Sequence, residues 1–365
     1  MTPAPAPASR PAPTLLNVAE TLLAAGIGGA VLGLAGLPGG WLSGAIIAVS
    51  ALALAGRPVN VPNALARVTY VVMGTSLGST VTPETVAGMA SWPLSLLVLG
   101  IGMFVLTAVV TAYLCVVHGW DRNSALLASF PGGLATVIVL AIENRADVRS
   151  VAVVQTVRVA GLAVLLPAAL AAFGFIGTPA PRAAVGTLAQ PLPLGVLLAV
   201  SGLSAYVAHK VNFPGGLIFG AMVSSAILHA TGLIGVTVPW WLSVCTFVIL
   251  GGVTGTRFAN TDIRLLRYLA AAAAGAFVVG NVVAFAFAIA AAAILELNTG
   301  AAILAYAPGA IDAMMILALA LHLDTAFVGA HHLFRFVLVI LTMPLIVSFM
   351  RRLGPQPPAE RGKGP

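Results

Sequence analysis

Charge is what this sequence lacks. Only 7% of its 365 residues are Asp, Glu, Lys or Arg, against about 25% in a soluble domain. Seventeen Lys+Arg and ten Asp+Glu cannot coat a 36.8 kDa globule, so a soluble enzyme is excluded. Cysteine is nearly absent as well: Cys115 and Cys245 sit inside apolar runs and imply no disulfide framework. The net charge of +7 comes without a basic cluster, because positive residues stand singly or in twos and threes. With no basic recognition helix outside the apolar runs, nucleic acid is not an expected partner. Among the six histidines there is no H-x-x-x-H or E-x-x-H spacing, so no metal site, no cofactor and no enzymatic activity are expected.

What is present is apolar: 60% hydrophobic residues and a mean hydropathy of +1.06. A membrane-crossing helix needs about 20 such residues. Apolar segments run at roughly 15–36, 38–56, 66–81, 92–117, 122–143 and 148–176, then at 190–208, 214–231, 240–256, 265–295, 300–320 and 325–350. The expected fold class is an all-α polytopic membrane protein. Residues 1–14 are a Pro/Ala tract without a packable face, expected to be a disordered cytoplasmic tail, and 351–365 form a charged, Pro-rich second tail. Trp41, Trp92, Trp120, Trp240 and Trp241 fall where anchoring Trp belong, at the membrane interfaces.

The chain is duplicated. Leu37-Pro38-Gly39-Gly40 with Gly44 matches Phe213-Pro214-Gly215-Gly216 with Gly220, at an offset of 176. At an offset of 177, Gly74 and Gly78 match Gly251 and Gly255. FPGGLATVIVLAIENRADVRSVAVVQTVRV, from Phe130, matches APGAIDAMMILALALHLDTAFVGAHHLFRF, from Ala307, at 177 too. The last block equates Pro131 with Pro308, Asp147 with Asp324, Gln155 with His332 and Arg158 with Arg335. Repeat 1 thus covers 15–176 and repeat 2 covers 190–350, with 177–189 as a linker.

Lys/Arg placement tests the topology, since cytoplasmic loops hold the excess. Twelve full spans put nine of the 17 inside and six outside. If the fifth segment of each half enters and leaves on one side, fourteen fall inside and only Arg182 outside. Each fifth segment carries its own break, at Phe130-Pro131-Gly132-Gly133 and at Ala307-Pro308-Gly309, which leaves arms of half a bilayer. About five spans plus one re-entrant, broken helix per half is an odd number of crossings, which makes the halves inverted repeats, the layout of secondary transporters. A kinked full span remains the alternative. Both termini are then cytoplasmic, in a bacterial inner membrane.

At these residues the chain resembles the AbrB-duplication membrane family, also labelled ammonia monooxygenase or regulator AbrB. The LPGGWLSG/FPGGLIFG and FPGGLATV…QTVRV/APGAIDAM…HLFRF blocks carry the resemblance, which spans about 20–350. It implies the duplicated membrane fold, and its labels name a regulator of gene expression, a monooxygenase and an uncharacterised inner-membrane protein.

Arg158 and Arg335 each lie about ten residues into a span, hence about 15 Å deep. An arginine there costs about 2.5–3.5 kcal/mol to insert and is a functional candidate by default. Two guanidinium groups, with helix starts behind Pro131 and Pro308, describe an anion site; alternatively each Arg ties down the carbonyls of a broken helix. Gln155, His332, Gly132, Gly133, Thr136 and Gly309 complete the candidate substrate-binding set. Asp312 and His331 are candidate proton or coupling residues, although Asp312 could instead neutralise Arg335 or cap the second arm. The expected function is secondary active transport of a small organic anion coupled to H+ or Na+. The alternative is a membrane-embedded regulator acting through a partner or through the solute it moves. The lipid bilayer is the surrounding partner, and long apolar faces permit a homodimer.

Overall fold

The computed structural model describes residues 14–81, 89–132, 134–177, 191–259, 261 and 263–352. The expected tails beyond these bounds, the linker after Gly177, Gly133 and the side chain of Thr136 lie outside the described residues. Among the described residues every regular element is a helix. The first half runs α1 (Leu15–Leu34), α2 (Gly40–Leu54), α3 (Asn63–Gly78), α4 (Trp92–His118), α5 (Arg122–Ser129), α6 (Leu134–Glu143) and α7 (Val148–Ala172). The second repeats the succession as α8 (Pro191–Lys210), α9 (Gly216–Ala230), α10 (Trp240–Gly255), α11 (Ile263–Leu295), α12 (Thr299–Tyr306), α13 (Ile311–Ala320) and α14 (Thr325–Arg352). Six of the seven pairs agree in length to within three residues, so the duplication in sequence is a duplication in structure.

Among the described residues seven helices are long and apolar enough to cross a membrane: α1, α4, α7, α8, α10 with its 3₁₀ extension to Phe258, α11 and α14. The segment expected at 66–81 forms a helix of the same length, 16 residues, but three residues earlier, and those expected at 38–56 and 214–231 are shorter, with 15 helical residues each. The reason is local. Gly39 and Gly215 adopt left-handed φ of 65° and 63°, which glycine tolerates, so α2 and α9 start only at the residue after each.

The breaks at the fifth segments are complete rather than kinks. Phe130 and Ala307 leave the helix with ψ of 125° and 131°. The N–H groups of Gly132 and Gly309 then close matching three-residue turns onto the carbonyls of Phe130 and Ala307, at 2.9 and 2.8 Å. Helices of eight to ten residues are marginal alone. Here α5 and α12 survive because nearly every residue of each is buried.

Each broken helix is a hairpin that returns to its starting end. The Asp147 N–H donates to Ser124 Oγ at 2.8 Å, so the base of α5–α6 lies beside the start of α7. The Gly177 N–H donates to the Leu321 carbonyl at 2.9 Å, and Gly300 abuts Phe175 and Leu323, so the base of α12–α13 lies at the other end of α7. Those bases are about 37 Å apart along a 25-residue helix.

Helices α1–α3 pack with α8–α10, and α4–α7 with α11–α14. In the first bundle the halves interlock. A Cβ on Gly251 would sit 2.7 Å from both Ala45 Cβ and the Leu42 carbonyl oxygen, so only glycine lets α10 cross α2 this closely. Gly44 and Gly220, expected at close helix contacts, do the same for α1–α2 and α8–α9: a Cβ on Gly220 would meet Ala205 Cα at 2.7 Å.

Candidate functional site: an arginine-lined cavity between two hairpin tips

Asp147 and Asp324, which the repeat equates, cap the starts of α7 and α14. Asp147 accepts from Ser150 N–H and Ser150 Oγ, and Asp324 from the Ala326 and Phe327 N–H groups. From these fixed starts α7 and α14 each deliver an arginine at their eleventh residue. Arg158 and Arg335 are 6% and 4% exposed.

Three of their hydrogen bonds correspond between the repeats: Gln155 or His332 to the carbonyl of Leu127 or Leu304, the arginine to the carbonyl of Phe130 or Ala307, and the arginine to the side chain of Gln155 or His332. Gln155 Nε2 donates to the carbonyls of Leu127 and Phe130 at 2.9 Å, and His332 Nε2 donates to the Leu304 carbonyl at 3.1 Å. Arg158 donates to the carbonyls of Ala128 (3.4 Å), Ser129 (3.1 Å) and Phe130 (3.1 Å) and to Gln155 Oε1. Arg335 donates to the carbonyls of Ala307 (2.5 Å) and Gly309 (2.6 Å) and to His332 Nδ1 (2.7 Å). A carbonyl can only accept, so His332 is the neutral tautomer with its proton on Nε2. It reproduces the amide of Gln155, one donor and one acceptor. The exposed carbonyls at the ends of α5 and α12 thus gain cationic partners, which the broken backbone at that depth requires. The structure therefore realises the carbonyl-tying alternative for both arginines. Arg158 Nε is left without a partner among the described residues.

The same side chains line a cavity. A space of about 510 Å³ is bounded by Pro131, Gly132, Gln155, Arg158, Pro308 and Gly309, and also by Asp312, His332, Arg335 and Arg257. Nine of the candidate site residues named from sequence thus surround one volume, of the size small ligands occupy. Ala310, the cap of α13, supplies no side-chain bond to the first N–H groups of that helix, whose start lines the cavity.

Two placements differ from expectation. Asp312 pairs not with Arg335 but with Arg257 Nη2, at 3.6 Å, and accepts from the Tyr70 hydroxyl at 3.2 Å. It occupies the first turn of α13 without capping it. The pair is partly open, at 27% and 19% side-chain exposure. From sequence, Arg257 entered only the count of Lys/Arg on each side of the membrane, and Tyr70 went unremarked. The signal that could have found Arg257 is its register, because the first repeat has neutral Thr80 at that position. His331 lies away from the cavity. It is fully buried against Phe327 and Trp92, with its ring nitrogens bonded to the Phe327 carbonyl (2.8 Å) and Ser95 Oγ (2.9 Å). Tyr306 closes that network by donating to the Ser95 carbonyl at 2.7 Å. Among the described residues no three His, Cys, Asp or Glu side chains are grouped.

The long apolar helices among the described residues define a multi-pass helical membrane protein. The chain belongs to the AbrB family: the family model described as "Transition state regulatory protein AbrB" matches residues 41–351. It is 26% identical over 330 residues to a candidate regulator named AbrB of Escherichia coli (strain K12), covering 88% of this chain and 92% of that one. It is 25% identical over 363 residues to the uncharacterized protein YhjN of Bacillus subtilis (strain 168), covering 89% and 91%. No solved structure matches.

Proposed function

We propose that this protein is a secondary active transporter for a small organic anion, driven by H+ or Na+ and acting without covalent chemistry. The observation that carries the reading is the cavity between the hairpin tips, lined by Arg158, Arg335 and Arg257 and, among the described residues, by one carboxylate, that of Asp312. His332 is neutral, so the lining is cationic and favours an anionic occupant. The hairpin bases at opposite ends of α7 support re-entrant helices that enter from opposite sides. Each half then makes an odd number of crossings, and the second repeat is inverted. Paired broken helices at the contact of inverted repeats suit alternating access around a midplane site. Asp312, open to the cavity, is the carboxylate placed to take up the coupling ion.

The test is uptake of a labelled carboxylate panel into proteoliposomes under imposed H+ or Na+ gradients. Arg257→Gln and Asp312→Asn are the informative variants, because their partly open side chains hold no helix end together. Gradient-driven uptake that falls at least about tenfold in Arg257→Gln is the expected result. Absence of flux for every anion, in protein shown to be folded, overturns the reading. A second reading, regulation of gene expression through a partner or the moved solute, draws on the word "regulator" in the names of the family and of the Escherichia coli relative. Co-purification of a soluble partner with a transport-inactive protein favours it.

A further inference from the structure

The inner cavity does not stand alone. A second space of about 320 Å³, between Tyr70, the start of α9 and the start of α13, shares Ile311 and Asp312 with it. A third, of about 540 Å³, shares His209 and Leu217 with the second. The three form a series running from the arginine-lined centre, past the Asp312–Arg257 pair, to the ends of α3, α8 and α9. The outermost space is lined by Arg67, His209 and Lys210 together with Tyr206 and Asn212 and, among the described residues, by no acidic one. Neither Arg67 nor Lys210 has an ion-pair partner among the described residues. Lys210 Nζ stands 5.4 Å over the Tyr206 ring, which holds the ammonium against the cavity wall. In a chain with only seventeen Lys+Arg, two unpaired cations and a histidine facing one volume are a concentrated positive field.

We propose that this vestibule is a second, outer anion-binding site, which takes carboxylate or phosphate groups and passes them inward along the cavity series. The proposal rests on the transport reading above and extends it to the residues that capture the cargo. An anion moving from the outer site to the inner one meets the Asp312 carboxylate, so that group must turn aside or lose its charge before the anion passes. The vestibule concentrates the anion and the Asp312–Arg257 pair divides the two sites.

Gly202 lines the vestibule, and a Cβ there would meet nothing within 4 Å, so it accepts a reporter thiol. The full chain carrying Cys115→Ser, Cys245→Ser and Gly202→Cys is placed in phosphatidylcholine nanodiscs. It is labelled with an anionic (sulfonatoethyl) or a cationic (trimethylammonioethyl) methanethiosulfonate. Relative to a free thiol, the anionic reagent is expected to gain at least about fivefold over the cationic one. The gain disappears in Arg67→Gln/Lys210→Gln, and succinate or inorganic phosphate slows the labelling. A reagent ratio equal to that of a free thiol overturns the proposal. So does protection by added phosphatidylglycerol with none by succinate or phosphate, which assigns the cations to a lipid headgroup. Uptake measurements separate this inference from the transport reading. Here Arg67→Gln/Lys210→Gln is expected to raise the substrate concentration for half-maximal uptake and leave the maximal rate intact. If that variant transports as wild type while Arg257→Gln does not, the outer site falls and transport stands. If no protein transports but the labelling ratio holds, transport falls and the anion site stands.

Discussion

His332 occupies the position that Gln155 fills in the first repeat, and the two make equivalent bonds. Replacing it separates two roles that the sequence left open, a titrating group and a fixed clamp. His332→Leu removes a neutral bond to the Leu304 carbonyl, worth about 1 kcal/mol, and a bond from the Arg335 guanidinium, worth about 1.5–3 kcal/mol. The sum, about 3 kcal/mol, corresponds to a fall of about 4 °C in the unfolding midpoint of a chain this long. His332→Gln restores one N–H donor and one acceptor at the same place, as Gln155 does for Arg158, so its cost is expected to stay under about 1 kcal/mol. Thermal unfolding of the detergent-purified protein, followed by intrinsic fluorescence, measures both. Uptake into proteoliposomes is then compared for wild type and His332→Gln. The clamp reading expects His332→Gln to melt within about 1 °C of wild type and to keep its gradient dependence. A glutamine variant that melts as low as the leucine variant, or that folds normally but loses coupled uptake, refutes the reasoning.

Other outcomes follow from the packing and the caps. Gly251→Ala places a methyl 2.7 Å from Ala45 Cβ and the Leu42 carbonyl, so it is expected to destabilise by about 1–3 kcal/mol. Gly26→Ala meets nothing within 4 Å in mid-α1 and is expected to be neutral or to stabilise by up to about 1 kcal/mol. Both are read in the same melting assay. Asp147→Ala removes the cap that starts α7 and is expected to cost about 0.5–2 kcal/mol, seen as faster amide exchange at the base of the first hairpin. Asp312→Asn leaves Arg257 without its carboxylate, so anion counterflow without a gradient is expected to persist while gradient-driven accumulation is lost. Retained accumulation moves the coupling role to another group.

Why so much of this could be read from residues alone is local in origin. A Pro-Gly step disfavours a continuous helix by its own backbone chemistry, so the breaks at Pro131 and Pro308 could be proposed from the residues, with a kinked span as the alternative. The register of Arg158 with Arg335, and of Gln155 with His332, needed only the repeat. A duplicated sequence folds twice into one succession of helices, because the local preferences are the same both times. Scarcity of charge and the length of the apolar runs determined the membrane class by the same logic: each residue's transfer cost is its own.

The partners of those residues were decided by the tertiary structure. Asp312 and Arg257 are far apart in sequence and meet because α13 is held against the end of α10 at the boundary of the two bundles. An arginine read from the sequence only as a loop charge became part of the cavity through that packing. His331 and His332 are neighbours on α14, yet one faces α4 and the other the cavity, since adjacent helical residues point about 100° apart. Whether a buried arginine holds backbone or faces a ligand also depends on where carbonyls elsewhere in the chain end up. Here the ends of α5 and α12 lie within reach, so both guanidinium groups hold backbone while lining the same cavity.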